Sequence, residues 1–162
     1  MLILVMGVAG SGKTLIGSML AESLGWIFAD ADLFHSAANI EKMAAGVPLT
    51  DADREPWLSA MREAIAAWTK SGENAVLACS ALKQSYRDRL ASGIQSRIVY
   101  LKGDPQLILN RLSLRRDHFM KPGMLSSQLA DLEEPANAIL VDIANTPAQI
   151  VAEIRRHIGI TL

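Results

Sequence analysis

Short apolar runs alternate with longer stretches of mixed polarity along the chain. Five of the runs are mostly apolar and no longer than five residues: Leu2–Met6, 26–29, 75–79, 97–101 and Ile139–Asp142. Strands covered on both faces have this composition, because neither face needs to meet water. Between them, apolar residues recur at helical spacing. Lys13–Leu24 places Ile16, Met19, Leu20 and Leu24 on one face and closes at Gly25. Residues 53–71 open on acidic side chains and stop at Gly72, which predicts a second helix. Pro105 and Pro147 stand where a first helical turn tolerates proline, opening helices toward Arg115 and to about Ile158. Residues 36–50 read as a short helical stretch. Residues 117–124 break the pattern with Lys-Pro-Gly and predict a mobile loop. Strand–helix alternation of this kind predicts an α/β fold, a parallel sheet with helices on both faces.

Composition narrows the classes. The chain has 162 residues, a length that suits a single domain over 1–162, and half of them are hydrophobic. Sixteen Lys and Arg against seventeen Asp and Glu leave almost no net charge, so nucleic acid and anionic membranes are not expected partners. Cys79 is the single cysteine, which excludes an internal disulfide and fits a reducing compartment. Residues 1–9 are apolar, but no basic residue precedes them, and cleavage there would destroy the motif that follows. With no run of 18 apolar residues, a cytoplasmic protein is expected.

That motif is Gly7-Val8-Ala9-Gly10-Ser11-Gly12-Lys13-Thr14, a match to G-x-x-x-x-G-K-[ST] between a predicted strand and a predicted helix. Glycines let backbone N–H groups converge on phosphate oxygens, and the helix N-terminus adds positive dipole. Lys13 is expected on the β- and γ-phosphates, and the Thr14 hydroxyl on Mg²⁺. By average residue usage, an accidental match in a chain this long has a probability of about one per cent. A guanine-reading Asn/Thr-Lys-x-Asp and an Asp-x-x-Gly switch are both missing, which excludes an ordinary GTPase. A small ATP-dependent kinase with a lid fits the length.

Asp30 and Asp32 follow the second strand with one residue between them, so an extended backbone points both the same way. Ligands sit at the carboxyl ends of parallel strands, where one carboxylate can hold Mg²⁺ and the other accept a hydroxyl proton. A turn or a helix cap is the plainer reading of such a pair, and Asp51 can likewise simply cap its helix. The polar residues His35, Asn39, Lys42 and Arg54 follow, then Ser80, Lys83, Tyr86 and Arg87 after the third strand. Cys79 reads as a small buried hydrophobe rather than a nucleophile.

Four strings carry a resemblance: DADLFHSAANIEKMAAGVPLTDADREPWL (30–58), CSALKQSYRDRL (79–90), YLKGD (100–104) and HFMKPGML (118–125). With the loop above they resemble the gluconate kinases over nearly the whole chain, and more distantly the shikimate and adenylate kinases. Ala31 stands where that pattern has glycine, and Ser36 where it has proline. The resemblance implies a three-layer P-loop kinase fold with a five-stranded parallel sheet, an acceptor-binding segment at about 30–58 and a lid at about 115–126. It also implies ATP and Mg²⁺, a homodimer, and transfer to the 6-hydroxyl of D-gluconate. A shikimate-kinase-like or other small-molecule kinase is the alternative. A nucleotide-binding regulator without transfer chemistry would leave Asp32, Arg54 and Lys83 unused.

An anionic polyol needs a cation for its carboxylate, which Arg54, Lys83 or Arg87 can supply, and hydrogen-bonding groups such as His35, Asn39 and Ser80. The order of roles in related kinases implies Asp32 as the base and Asp30, with Thr14, nearer the metal. Arg111, Arg115 and Arg116 end the fourth predicted helix, where they either complement its dipole or bring mobile positive charge to the transferring phosphate. In a chain that already carries a phosphate loop the lid reading is favoured for Arg115 and Arg116, and the resemblance places Arg111, Asn145 and Pro147 beside the adenine. His118 is assigned to lid or pocket, and His157 to the surface.

Overall fold

The computed structural model describes residues 1–115 and 123–160. It contains β1 (Leu2–Met6), α1 (Lys13–Leu24), β2 (Ile27–Asp30), a 3₁₀ turn (Ala31–Phe34), α2 (Ala37–Ala44), α3 (Asp51–Lys70) and β3 (Ala75–Ala78). There follow α4 (Gln84–Ala91), β4 (Ser96–Lys102), α5 (Pro105–Ser113), α6 (Met124–Asp131), β5 (Ile139–Asp142) and α7 (Pro147–Ile158). The strands pair in parallel in the order β2-β3-β1-β4-β5. β1 is therefore central, and its carboxyl end opens into the glycine-rich loop.

Side chains alternate across a strand, so each strand feeds two cores. Ile3 and Val5 of β1 join Val76, Val99 and Val141 under α1, α5 and α7. Leu2, Leu4 and Met6 join Leu77 and Tyr100 on the opposite face, under Trp57, Met61 and Ile65 of α3 and Leu90 of α4. All five residues of β1 are buried, as its unbroken apolar run requires. Each large side chain so placed contributes about 1.5–3 kcal/mol.

Boundaries moved where a side chain captured a backbone group. α3 starts at Asp51 instead of residue 53 because Thr50 caps it, accepting the Asp53 N–H while Asp53 accepts the Thr50 N–H. Asp51, expected as a possible cap, is left for other work. Ser36, in place of the expected proline, caps α2 by accepting the Asn39 N–H. Thr146 caps α7 in the same reciprocal way with Gln149. α4 and α6 were not read from the sequence: each has only eight residues, too few for a stripe. At the end of the stretch expected as a lid, α6 begins at Met124 and buries Met124 and Leu125. Most of the predicted loop, and with it Arg116 and His118, lies outside the described residues.

Candidate active site

The chain leaves β1 after Met6 and turns over residues 7–12 into α1. Gly10 and Gly12 hold φ of 81° and 96°, a region that side chains strain to occupy. A Cβ on Gly10 would also lie 2.8 Å from Leu112 of α5. The loop thereby packs directly on the helix whose end carries Arg111 and Arg115. Lys13 Nζ donates to the Val8 carbonyl at 3.0 Å, folding back over the loop. Partial burial of the ammonium lowers its pKa below the ordinary lysine value, against the opposing pull of Asp32 and Asp30. The Ser11 hydroxyl is buried without a protein partner among the described residues.

The backbone leaves the extended form immediately after Asp30, which corrects the extended reading of the Asp30–Asp32 pair. β2 ends at Asp30, and the chain turns at once into the 3₁₀ helix, with Asp30 Oδ1 accepting the Asp32 N–H at 2.9 Å. Asp30 Oδ2 accepts the Thr14 hydroxyl at 2.7 Å. Asp32 instead lines the cavity with Lys13 and His35. The turn thus separates one carboxylate beside the Thr14 hydroxyl from another facing the cavity. A hydroxyl and a carboxylate in contact are a fitting donor pair for Mg²⁺, a hard cation that keeps waters and phosphate oxygens as its other ligands. No group of three or more His, Cys, Asp or Glu among the described residues forms a metal cage of its own.

The same cavity continues to Arg54, Trp57 and Ser80. His35 stacks on Trp57 with ring centroids 4.4 Å apart, and the Trp57 indole N–H donates to the Ala31 carbonyl at 2.7 Å. Burial lowers the His35 pKa, so at neutral pH it is a hydrogen-bonding group rather than a cation. Asn39 does not reach the cavity. It is buried, donates to the Asp53 carbonyl at 2.8 Å and lies 3.4 Å from His35 Nδ1. It braces the loop that carries the histidine against the start of α3.

Of the three expected cations, only Arg54 lines this cavity. It donates to the Tyr86 hydroxyl at 3.1 Å and to Asp131 at 3.3 Å. Lys83 is turned to Asp51 at 2.9 Å, and Tyr86 donates to that same carboxylate. The Tyr86 and Lys83 hydrogen bonds keep the Asp51 carboxyl below its usual range. Arg87 is corrected outright. Only 1% exposed, it donates to the carbonyls of Ala81, Leu82 and Glu133 and to the Gln84 side chain. It ties the turn after β3 to the segment after α6 and has no surface to offer a substrate. Cys79 is buried, and its thiol is pushed up to about 12, so it is inert as expected.

A second cleft, of about 400 Å³, opens on the other side of the loop and brings together Arg111, Arg115, Asn145 and Pro147. Arg111 donates to the Ile143 carbonyl at 2.8 Å. Arg115 borders both spaces. Sequence reasoning missed Gln128 and Asp131. Neither lies in a motif, and each matters through a partner at least 77 positions away.

The shikimate kinase family model matches residues 9–158. A gluconokinase of Gluconobacter oxydans is 42% identical over 96% of this chain and 89% of its own length. Among solved structures, an unliganded sugar kinase from Janibacter superposes with a TM-score of 0.91 at 41% identity, covering 99% of this chain and 95% of that one. A gluconokinase from Sinorhizobium meliloti superposes with a TM-score of 0.86, also at 41% identity, covering 97% and 90%.

Proposed function

The chain belongs to the gluconokinases, within the wider shikimate kinase family, and on that premise we propose that it transfers the γ-phosphoryl group of ATP to the 6-hydroxyl of D-gluconate. The observation that carries this reading is one continuous cavity running from Lys13 and Thr14 past Asp32 to Arg54. Phosphate chemistry sits at one end and a cation for an anionic acceptor at the other.

Phosphoryl transfer has a loose transition state, so the protein's task is mainly positioning and charge stabilisation. N–H groups of residues 7–14 and the Lys13 ammonium hold the phosphate oxygens. Mg²⁺, when bound, neutralises phosphate charge, and Thr14 and Asp30 are the side chains to hold it. Asp32 orients the acceptor hydroxyl and takes its proton late in the step. Arg54 meets the gluconate carboxylate, and His35 and Ser80 meet its hydroxyls. Lys83 then supports Asp51 rather than the substrate. Arg115 approaches the transferring group, while Arg111, Asn145 and Pro147 border the base. Arg116 and His118 retain the lid and pocket roles assigned from the sequence. The same reading carries a single kinase domain over the whole chain, a homodimer and a cytoplasmic location. No helix among the described residues is long and apolar enough to cross a membrane.

The test is ADP release with Mg-ATP, with and without gluconate, followed by identification of the product. Gluconate-dependent release giving 6-phospho-D-gluconate is expected. The family model's name favours shikimate as the second acceptor, since it is also a hydroxylated carboxylate. Release with shikimate and none with gluconate would replace the acceptor. Slow ATP loss that no acceptor accelerates would replace the enzyme with a regulator.

A further inference from the structure

The glycine-rich loop is gripped from outside by a residue that no motif contains. Gln128 of α6 is 7% exposed, and its side-chain carbonyl accepts the Ala9 N–H at 2.7 Å across 119 positions of sequence. The Ala9 N–H and the Val8 carbonyl belong to one peptide unit, which is planar and rigid. The carbonyl edge of that unit accepts Lys13 Nζ at 3.0 Å and the Ser11 N–H at 3.2 Å. One plane is therefore clasped by Gln128 on one edge and by Lys13 on the other. Rotation of the peptide would break both contacts together and strand a buried N–H, which is costly. α6 is itself well anchored. Met124 and Leu125 are buried, and Asp131, three residues beyond Gln128 and hence on a neighbouring face, accepts from Arg54.

We propose that Gln128 is a positioning residue for phosphoryl transfer: by holding the Ala9 N–H it sets the Val8–Ala9 peptide plane, and with it the seat of Lys13. α6 thereby ties the phosphate loop to the cation at the acceptor end. The inference rests on the kinase reading above and adds a residue to it.

The experiment compares Gln128→Leu and Gln128→Glu in the full chain, below their melting transitions. Amide exchange at Ala9 is followed in nucleotide-free protein, together with kcat and both KM values at neutral pH. Gln128→Leu should speed Ala9 exchange and lower kcat, each by about tenfold, the value of one buried hydrogen bond. The KM for gluconate should stay within about twofold. Gln128→Glu retains an acceptor for the Ala9 N–H, so Ala9 should stay protected and kcat should recover to within about threefold of wild type at neutral pH. Unchanged Ala9 exchange in Gln128→Leu, or a Gln128→Glu variant that protects Ala9 yet loses as much kcat as Gln128→Leu, overturns the proposal. Should Gln128→Leu not fold, Gln128→Glu decides alone, with a tenfold loss of kcat beside a protected Ala9 overturning it. A wild-type enzyme that ignores gluconate would instead count against the acceptor, and the Ala9 exchange would still judge Gln128.

Discussion

The two ends of the cavity are held by different means. At the phosphate end, eight consecutive residues form the cradle, and backbone geometry does most of the holding: positive φ at Gly10 and Gly12, and a helix start at Lys13. At the acceptor end, the walls come from the 3₁₀ turn, α3, the end of β3 and α6, tied by the pairs Lys42–Asp53, Arg54–Asp131 and Lys83–Asp51. Exposed and partly exposed pairs of that kind contribute little each, because solvent screens them. A backbone cradle tolerates little change at its glycines, because a Cβ at Gly10 or Gly12 strains a positive φ, and at Gly10 it also collides with Leu112. A wall of weak side-chain pairs can be retuned one residue at a time. Variants at the phosphate end should therefore lose turnover, and variants at the acceptor end should shift substrate affinity.

The sharpest test lies where the two ends meet. Asp32→Asn keeps size and one acceptor oxygen, so its effect isolates charge and basicity. It should lower kcat by roughly 10²–10⁴ with nucleotide binding intact by calorimetry. Asp30→Asn, at the neighbouring carboxylate, should instead raise the Mg²⁺ requirement, with excess metal restoring part of the rate. Near-normal turnover in the first variant, with a second that no metal rescues, would exchange the two roles.

Next in size is Lys13→Ala, expected to fold and to lose roughly 10²–10³ in kcat, the usual cost of removing one preorganised charge contact. More than about a tenth of wild-type activity would show that the backbone alone suffices, and the contrast between the two ends would grow. Arg54→Ala should raise the KM for gluconate by about ten- to a hundredfold, the range for a hydrogen bond to a charged group, with ATP affinity unchanged. Lys83→Ala should do far less, because its ammonium faces Asp51. Equal effects in the two variants would put both cations on the substrate.

The smallest effect concerns pH. The Lys42 hydrogen bonds, helped by the Thr50 N–H, lower the Asp53 carboxyl to about 2 from 3.8. A depressed carboxyl contributes stability that is fully present above 3.8 and is lost as pH falls toward 2. Lys42→Ala should therefore be slightly less stable than wild type at pH 6 in urea titrations, and the gap should close toward pH 2. A gap independent of pH would mean that packing of the lysine stem, not its charge, holds the start of α3.

Much of this was legible in the sequence, and for a local reason. Apolar runs, capping residues, prolines at helix starts and a phosphate loop between strand and helix are consequences of neighbours along the chain. They determined five strands close to their observed places and the parallel α/β class, and they put Lys13, Thr14 and the carboxylate pair forward as site candidates. The roles of Arg87, Asn39 and Gln128 were decided only by tertiary structure. Arg87 and Arg54 are the same residue type in similar polar surroundings, yet one is buried among carbonyls and the other lines the cavity. Asn39 looks like a substrate ligand until the Asp53 carbonyl claims it. Gln128 has no local signal at all, because its partner is a backbone N–H, which every residue but proline carries. Which amide meets which side chain across 119 positions depends on how α6 packs beside the loop. That packing is set by long-range burial, not by the residues on either side.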